Sequence, residues 1–402
     1  MKHIKSAVSL VTAALVCGGA HAQYSDGKVK IGVLSDLSGG YEQNSGNGSV
    51  EAAKMAAEEF GYKVKGKPIE VVAGDHQNKP DVGATVANRW FDREQVDVIT
   101  DLVNSAIGFA VLDVAKSKNK MILLTSAGSD DFTGKACAPN NSVHWVYDTY
   151  QMSSAFGQAM PRLGKKWFFI YADYVFGRAL LAGLSDQVKK NGGTVVGSVA
   201  HPLGATDFSS FVLQAQASKA DVVAIANGGD DAINAVKAAR EFGLVAGGQK
   251  VLPTGLDSLP AIKSTGLDLA QGMMYVTPWL PNLSAEGAAF MKKFIERRKI
   301  APSSFQVGTY SAVRSYLKAV EAADSDDPKA VIAKMRAMKV KDAFTNDGTL
   351  RPDGRMVHDV YLVQIKSPAE SKGEWDLIKL VATIPGNKAF RPLGQGGCPF
   401  VK

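Results

Sequence analysis

Cysteine is scarce in this chain: Cys17, Cys137 and Cys398 are the three in 402 residues. That is too few for a disulfide-stapled small fold, and none is spaced as a zinc ligand pair. Histidine is also sparse. Of the six, His76, His144, His201 and His358 lie beyond the first 22 residues, and no two share a metal-ligand spacing. No metal and no cofactor are expected, and loop or core hydrogen bonding is the reading for each histidine. Serine occurs nowhere in a G-x-S-x-G nucleophile elbow, so a hydrolase would have no activated hydroxyl and no catalytic residue is assigned. The segment Gly61–Lys67 has the glycine spacing of a phosphate-binding loop, but Pro68 replaces the Ser or Thr that would hold magnesium. It reads as a turn before a strand.

Long apolar runs are missing too. After residue 22 nothing approaches the ~20 apolar residues that a membrane helix needs. The start of the chain instead reads as a secretory leader: Lys2 and Lys5, an apolar run from Ala7 to Val16, then Ala20-His21-Ala22, with cleavage expected after Ala22 and export to the periplasm. A lipid anchor on Cys17 is the lesser alternative, because Leu15-Val16 supplies no small residue directly before it. Removing Lys2 and Lys5 lowers the formal charge from +7 to +5. The basic residues are dispersed and do not alternate with aromatics, so nucleic acid is not expected as a partner.

What the chain has in abundance is alternation of apolar strands with amphipathic helices. Val29, Ile31 and Val33 alternate with polar or small residues and run into Ser35–Gly40; Ile69–Ala73, Val96–Ile99 and Met121–Leu124 follow, with helices between them. A covered parallel sheet is the expected result. The rhythm restarts at Trp167–Tyr171 and continues through Thr194–Val199 and Val222–Ala226. The helices beyond Trp279 have few strands of their own and need the first sheet to pack on. Asp327 is the expected cap of one of them, with Pro328 at its first position. The fold class is therefore α/β, two Rossmann-like lobes with parallel sheets joined by a three-stranded hinge. We assign residues 1–22 to the leader, 28–147 with 278–356 to lobe 1, 148–277 with 357–390 to lobe 2, and 391–402 to a tail. Tyr361–Ile365 and Leu377–Val381 are expected to finish the second lobe. A cleft at such a hinge is where a small molecule binds.

Two loops at strand ends stand out. Asp101-Leu102-Val103-Asn104-Ser105-Ala106 follows one strand, and Thr125-Ser126-Ala127-Gly128-Ser129-Asp130 follows the next. Parallel sheets hold their ligands at such carboxyl ends, and free N–H groups at a helix start bind an anion without lysine or arginine. The alternative is that Ser105 and Ser129 merely cap helices.

The chain resembles the branched-chain amino acid binding proteins of ABC importers, which are periplasmic binding proteins of the type I, Venus flytrap fold. The resemblance runs from Lys28 to about Ile365. It is carried by Lys30-Ile31-Gly32 leading to Ser38-Gly39, Asp75 before the Pro80 helix, Val98-Ile99 before Asn104-Ser105, Thr125-Ser126-Ala127, Phe176-Gly177, Asp207-Phe208-Ser209 and Gly308-Thr309-Tyr310. It implies that Ser105, the backbone at Ala127 and the hydroxyl of Ser129 hold a ligand carboxylate, with a membrane permease as partner and no catalysis; Asn104 and Gly128, in the same two loops, are further candidates.

The second-lobe half departs from that pattern. Phe176 stands where tyrosine is usual, and Thr254 occupies the place of the acid that receives an ammonium. Asp230 and Asp257, near Asn227, are the candidate substitutes. A buried ammonium without an acid is costly, so an aromatic or other small carboxylate is the expected ligand, with Tyr41, Tyr174, Phe176 and Trp279 as apolar walls or, alternatively, as lobe packing. An amino acid binder, an amide-sensing receptor domain and, more remotely, an α/β hydrolase are the competing readings. The mature chain is expected to be a monomer.

Cys137 and Cys398 are the two cysteines left after leader removal. Both sit in glycine- and proline-rich loops, and export brings both into an oxidising compartment. A disulfide that pins the tail to lobe 1 is expected; two free thiols are the alternative.

Overall fold

A computed structural model describes residues 24–256 and 258–401. The expected leader therefore lies outside the described residues. Lobe 1 is built on a six-stranded sheet of β1 (Val29–Ser35), β2 (Lys63–Val64), β3 (Lys67–Asp75), β4 (Val98–Asp101), β5 (Met121–Leu124) and β6 (Ser142–His144), in the order β2-β3-β1-β4-β5-β6. The strands β3, β1, β4, β5 and β6 run parallel, and only the short β2–β3 hairpin is antiparallel. That hairpin is the phosphate-loop look-alike: Lys65 and Gly66 take φ of +50° and +79°, as a tight two-residue hairpin turn requires.

The helices α1 (Gly46–Glu59), α2 (Pro80–Asp92) and α3 (Ser105–Ser117) cover this sheet. Packing fixes local sequence here. Trp90 of α2 lies against the bare backbone of β1 and β3: a Cβ on Gly32 would fall 2.4 Å from its ring and one on Gly74 would fall 2.8 Å away. Glycine in two otherwise good strands is explained by that close approach.

After α4 (Thr149–Gly157), lobe 2 forms around four parallel strands, β7 (Lys166–Ala172), β8 (Thr194–His201), β9 (Val222–Ala226) and β10 (Lys250–Pro253), in the order β10-β9-β7-β8. The helices α5 (Val175–Lys190), α6 (Ser209–Ala217), α7 (Asp230–Glu241), α8 (Leu259–Thr265) and α9 (Leu267–Ala270) belong to this unit, followed by β11 (Met274–Thr277). The chain then returns to lobe 1. There α10 (Ala285–Arg298) and α11 (Ser304–Ala323) pack on α1, and α12 (Pro328–Ala337) packs on α11. Asp327 caps α12, accepting from Ala330 N at 3.0 Å. A small antiparallel sheet of β12 (Lys339–Val340), β13 (Gly348–Leu350) and β14 (Met356–Val357) leads to the last crossing.

The final strands do not extend the parallel sheet of lobe 2. The strands β15 (Val360–Ile365) and β16 (Ile378–Ile384) form a separate antiparallel sheet with β11. The reason is the connection. Residues 366–377 join β15 to β16 through turns with no helix among them, and a parallel return is usually made by a crossover helix. After the short α13 (Gly386–Ala389) the tail reaches lobe 1, where Cys137 and Cys398 form a disulfide with Cα atoms 5.6 Å apart.

Buried polar groups tie the crossings together. Arg355 is fully buried and donates to Tyr147 O at 3.0 Å and Met356 O at 2.9 Å, with the Asp148 carboxylate 3.4 Å away. His358 Nε2 lies 2.7 Å from Val146 O. The three histidines His144, His201 and His358 are all buried in such contacts with backbone or Asn227.

Candidate functional site

The strand ends of the two lobes face each other across a narrow cavity. Lobe 1 contributes Tyr41, Asn44, Val103, Asn104, Ser105, Ser126 and Gly128, together with Tyr147 at the first crossing and Phe305 from α11. Lobe 2 contributes Tyr174, Phe176, Gly228, Gly229 and Gly255. No lysine, arginine, histidine, aspartate or glutamate is among the lining residues.

The polar face belongs to lobe 1. Asn104 caps α3, its side-chain oxygen accepting from Ala106 N at 2.9 Å while its amide donates to Asn78 at 2.7 Å. The Ser105 amide opens α3 and has no intrahelical partner. The Ser105 hydroxyl oxygen accepts from Ser129 N at 3.0 Å. The Gly128 amide has no acceptor among the described residues. These donors and the positive end of a helix suit a bound anion. Gly128 is required by space: a Cβ there would lie 2.7 Å from the Phe176 ring and 2.8 Å from that of Tyr147.

The walls are aromatic. Tyr147 stacks on Phe305 at 4.8 Å between ring centroids, and Phe176 packs near both Tyr147 and Tyr174, at 6.3 and 6.1 Å. The Tyr41 and Tyr174 hydroxyls meet at 2.9 Å across the cleft. Burial pushes both phenols well above their ordinary range, so both are neutral. One donates to the other, leaving one hydroxyl hydrogen for a further acceptor. The lobes also touch through Asp230 N to Gly40 O at 3.1 Å and Ser258 Oγ to Asn44 Oδ1 at 3.0 Å.

Of the residues singled out in the sequence, Tyr41, Asn104, Ser105, Gly128, Tyr174 and Phe176 line the cavity. The others do not. Ala127 offers its carbonyl to His144, and the Ser129 hydroxyl accepts from Asp131 N in the next turn. Asn227 is buried against His201 and Asp231 O. The Thr254 hydroxyl is turned to Ile225 O at 2.7 Å. Trp279 donates to Ala343 O at 2.8 Å and packs where the second crossing meets the returning segment, so it is lobe packing and not a cavity wall. Asp230 lies at the cleft mouth, exposed, and Asp257 is outside the described residues.

Asn44, Tyr147, Phe305 and the second-lobe glycines were missed from sequence, while Val103 and Ser126 belong to the two loops singled out there without being assigned to the site. Phe305 and Asn44 are held in register by Gln306, which donates to Ser45 O at 3.0 Å, and by a Ser303 hydroxyl bonded to Asn44 O. Among the described residues one trio, Asp36, Asp75 and His76, brings ligand-type atoms within 4.8 Å of one another. Both carboxylates are already engaged, Asp36 by the amides of Gly39 and Tyr41, Asp75 by those of Leu37 and Gln77 and by Ser38.

Comparison with known proteins agrees with this architecture. A family model described as periplasmic binding protein matches residues 28–374. The crystal structure of a periplasmic binding protein from Burkholderia mallei is 44% identical, with a TM-score of 0.90, covering 94% of this chain and 100% of that one. A branched chain amino acid ABC transporter periplasmic ligand-binding protein from Burkholderia xenovorans LB400 is 40% identical, with a TM-score of 0.83 and coverage of 93% and 100%. A solute binding protein of an R. palustris ABC transporter in complex with benzoate shares the fold at 22% identity, with a TM-score of 0.79 and coverage of 90% and 97%. The chain thus belongs to the periplasmic binding protein family, as a non-catalytic solute-binding component of an ABC importer.

Proposed function

We propose that the cavity captures a small aromatic carboxylate and that the lobes close over it for delivery to a membrane permease. The carboxylate faces the start of α3 and the Gly128 amide, and the ring packs against Tyr147, Phe176 and Phe305 once the lobes part to admit it. The observation that carries this reading is the lining itself: aromatic rings, free amides and hydroxyls, with no charged side chain. An ammonium group inside it would have no acid, and leaving it unpaired costs several kcal/mol, of the order of ~3–5. The benzoate complex of the R. palustris protein supports the class of ligand.

Branched-chain amino acids are the second reading, favoured by the description of the 40% identical relative and by Asp230 at the cleft mouth. Calorimetric titration of the mature protein with benzoate, 4-hydroxybenzoate and leucine separates the two. Heat with the benzoates and none with leucine is expected; tighter binding of leucine overturns the aromatic reading. The mature protein begins after Ala22 and works as a monomer. Sizing chromatography of the exported protein and the mass of its N-terminal peptide test both statements.

A further inference from the structure

Ser126 lines the cavity, and its hydroxyl donates to Asp101, the last residue of β4. Asp101 is fully buried between Leu34 of β1 and Leu124 of β5, at a φ of +79°. Hydroxyls surround it: Ser35 from β1, Ser45 and Ser49 from the start of α1, and Ser126 after β5. The helix α11, which also packs on β4, brings Phe305 and Thr309 to this side, neither of them ionisable. Only the bond from Ser126 is complete. Ser35 and Ser45 bond each other at 3.1 Å, while Asp101 Oδ2 and Ser49 Oγ, both buried, have no hydrogen-bond partner. A buried carboxylate with one full donor is poorly served, whereas a proton on it would find hydroxyl oxygens to accept it.

The direction of the Ser126 bond decides what the cavity offers an anion. While Asp101 is charged, the Ser126 hydrogen is committed to it and the hydroxyl turns only lone pairs elsewhere. Once Asp101 is protonated, Asp101 can donate to Ser126 Oγ, and the Ser126 hydrogen becomes free to point at a ligand. We propose that Asp101 is the proton site of this pocket: entry of a carboxylate beside Ser126 draws one proton from solvent onto the Asp101 carboxylate, reversing the Ser126 hydrogen bond and making capture proton-linked. No bond in the ligand is formed or broken. Asp101 acts through Ser126 as a positioning residue. Burial, which already pushes the ligand-free carboxyl up to about 6, poises it for this role.

The inference rests on the carboxylate reading of the cavity, and the test keeps the two apart. Benzoate is titrated into the protein in phosphate and in Tris at about pH 7, buffers whose ionisation heats differ, and the affinity is followed from about pH 8 to 6. Expected are a binding heat that depends on the buffer, corresponding to uptake of a good part of a proton, and affinity that rises up to about tenfold per pH unit lowered. Asp101→Asn should make the heat buffer-independent and flatten the pH profile. Buffer-independent heat in the unaltered protein, or unchanged proton uptake in D101N, overturns the proposal. If D101N does not fold, or if benzoate does not bind and the aromatic reading falls, carboxyl carbon NMR of the ligand-free protein decides. An Asp101 midpoint above about pH 5 sustains the proton site, and one nearer the ordinary ~4 ends it.

Discussion

The two halves of the cavity use opposite kinds of backbone. On the lobe 1 side the end of β4 and the segment after it are strained: Asp101, Leu102 and Asn104 hold φ of +79°, +59° and +82° without being glycine. Each such residue costs of the order of ~1–3 kcal/mol and persists only where its surroundings over-determine it, as the Asn104 cap and the Ser126–Asp101 bond do here. On the lobe 2 side the backbone is glycine, at 228, 229 and 255. A Cβ on Gly229 would fall 2.5 Å from Gly40 O of the opposite lobe, so the absence of side chains lets the two lobes meet. The contrast is between a fixed polar receptor, built once by the sheet and its helix, and a cover whose one requirement is to approach closely. Binding of the polar group belongs to the first half and exclusion of water to the second.

The comparison can be broken most severely at Gly128, where the halves touch. Gly128→Val drives a branched side chain into the Phe176 and Tyr147 rings and should cost roughly 3 kcal/mol of closure. Benzoate affinity should fall by more than about a hundredfold, and small-angle scattering should detect no compaction on adding ligand. Native affinity in that variant would mean that lobe 2 need not come so near.

A second experiment addresses the strained half alone. Burial holds the folded Asp101 carboxyl at about 6, above its value in the unfolded chain. The stabilisation it gives is therefore full below the unfolded value near ~4 and is lost as pH rises through about 6. Relative to the unaltered protein, Asp101→Asn should gain about 1.4 kcal/mol between pH 5 and 8, measured by denaturant melts. A constant difference across that range would mean that the carboxyl does not titrate there.

Smaller effects sharpen the division of labour. Ser105→Ala removes the hydroxyl beside the α3 amide and should weaken benzoate binding by about 1–2 kcal/mol, read by calorimetry, with a fall in melting temperature as well because the buried Ser129 amide loses its acceptor. Tyr174→Phe breaks the hydroxyl pair with Tyr41 and should cost only ~0.5–1 kcal/mol. Its loss should appear chiefly as faster ligand release in stopped flow, because it belongs to the cover. A slower association rate instead would assign Tyr174 to first capture.

The first-lobe half was legible in the sequence because its signal is local. An apolar strand running into small polar residues draws attention to both loops, with helix capping as the open alternative. The family resemblance then singled out Ser105 and the backbone after β5, and the same signal marked Ala127 and Ser129, which do not line the cavity. Phe305 carried no such signal: it sits on the buried face of α11 and reads like Phe290 or Phe294, which are core. Tyr147 follows β6, a strand of three residues too short to show alternation. Thr254 and Trp279 fail for a different reason. Their positions along the chain are near the cleft, but their side chains turn to the carbonyls of Ile225 and Ala343, and side-chain direction is set by neighbours that sequence does not reveal. The antiparallel sheet of β11, β15 and β16 was hidden likewise, since strand direction depends on the connection and not on composition.

The bond between Cys137 and Cys398 closes a covalent ring of 261 positions. Every strand of lobe 2 and all three crossings lie inside it. A ring of that size lowers the freedom of the unfolded chain by a nominal ~5 kcal/mol, but it has another consequence. One protease cut anywhere in lobe 2 would leave a single molecule whose two ends remain joined through sulfur, so a nicked receptor can keep its parts together and reassemble around its cleft. Only a second cut, or reduction, would set a fragment free.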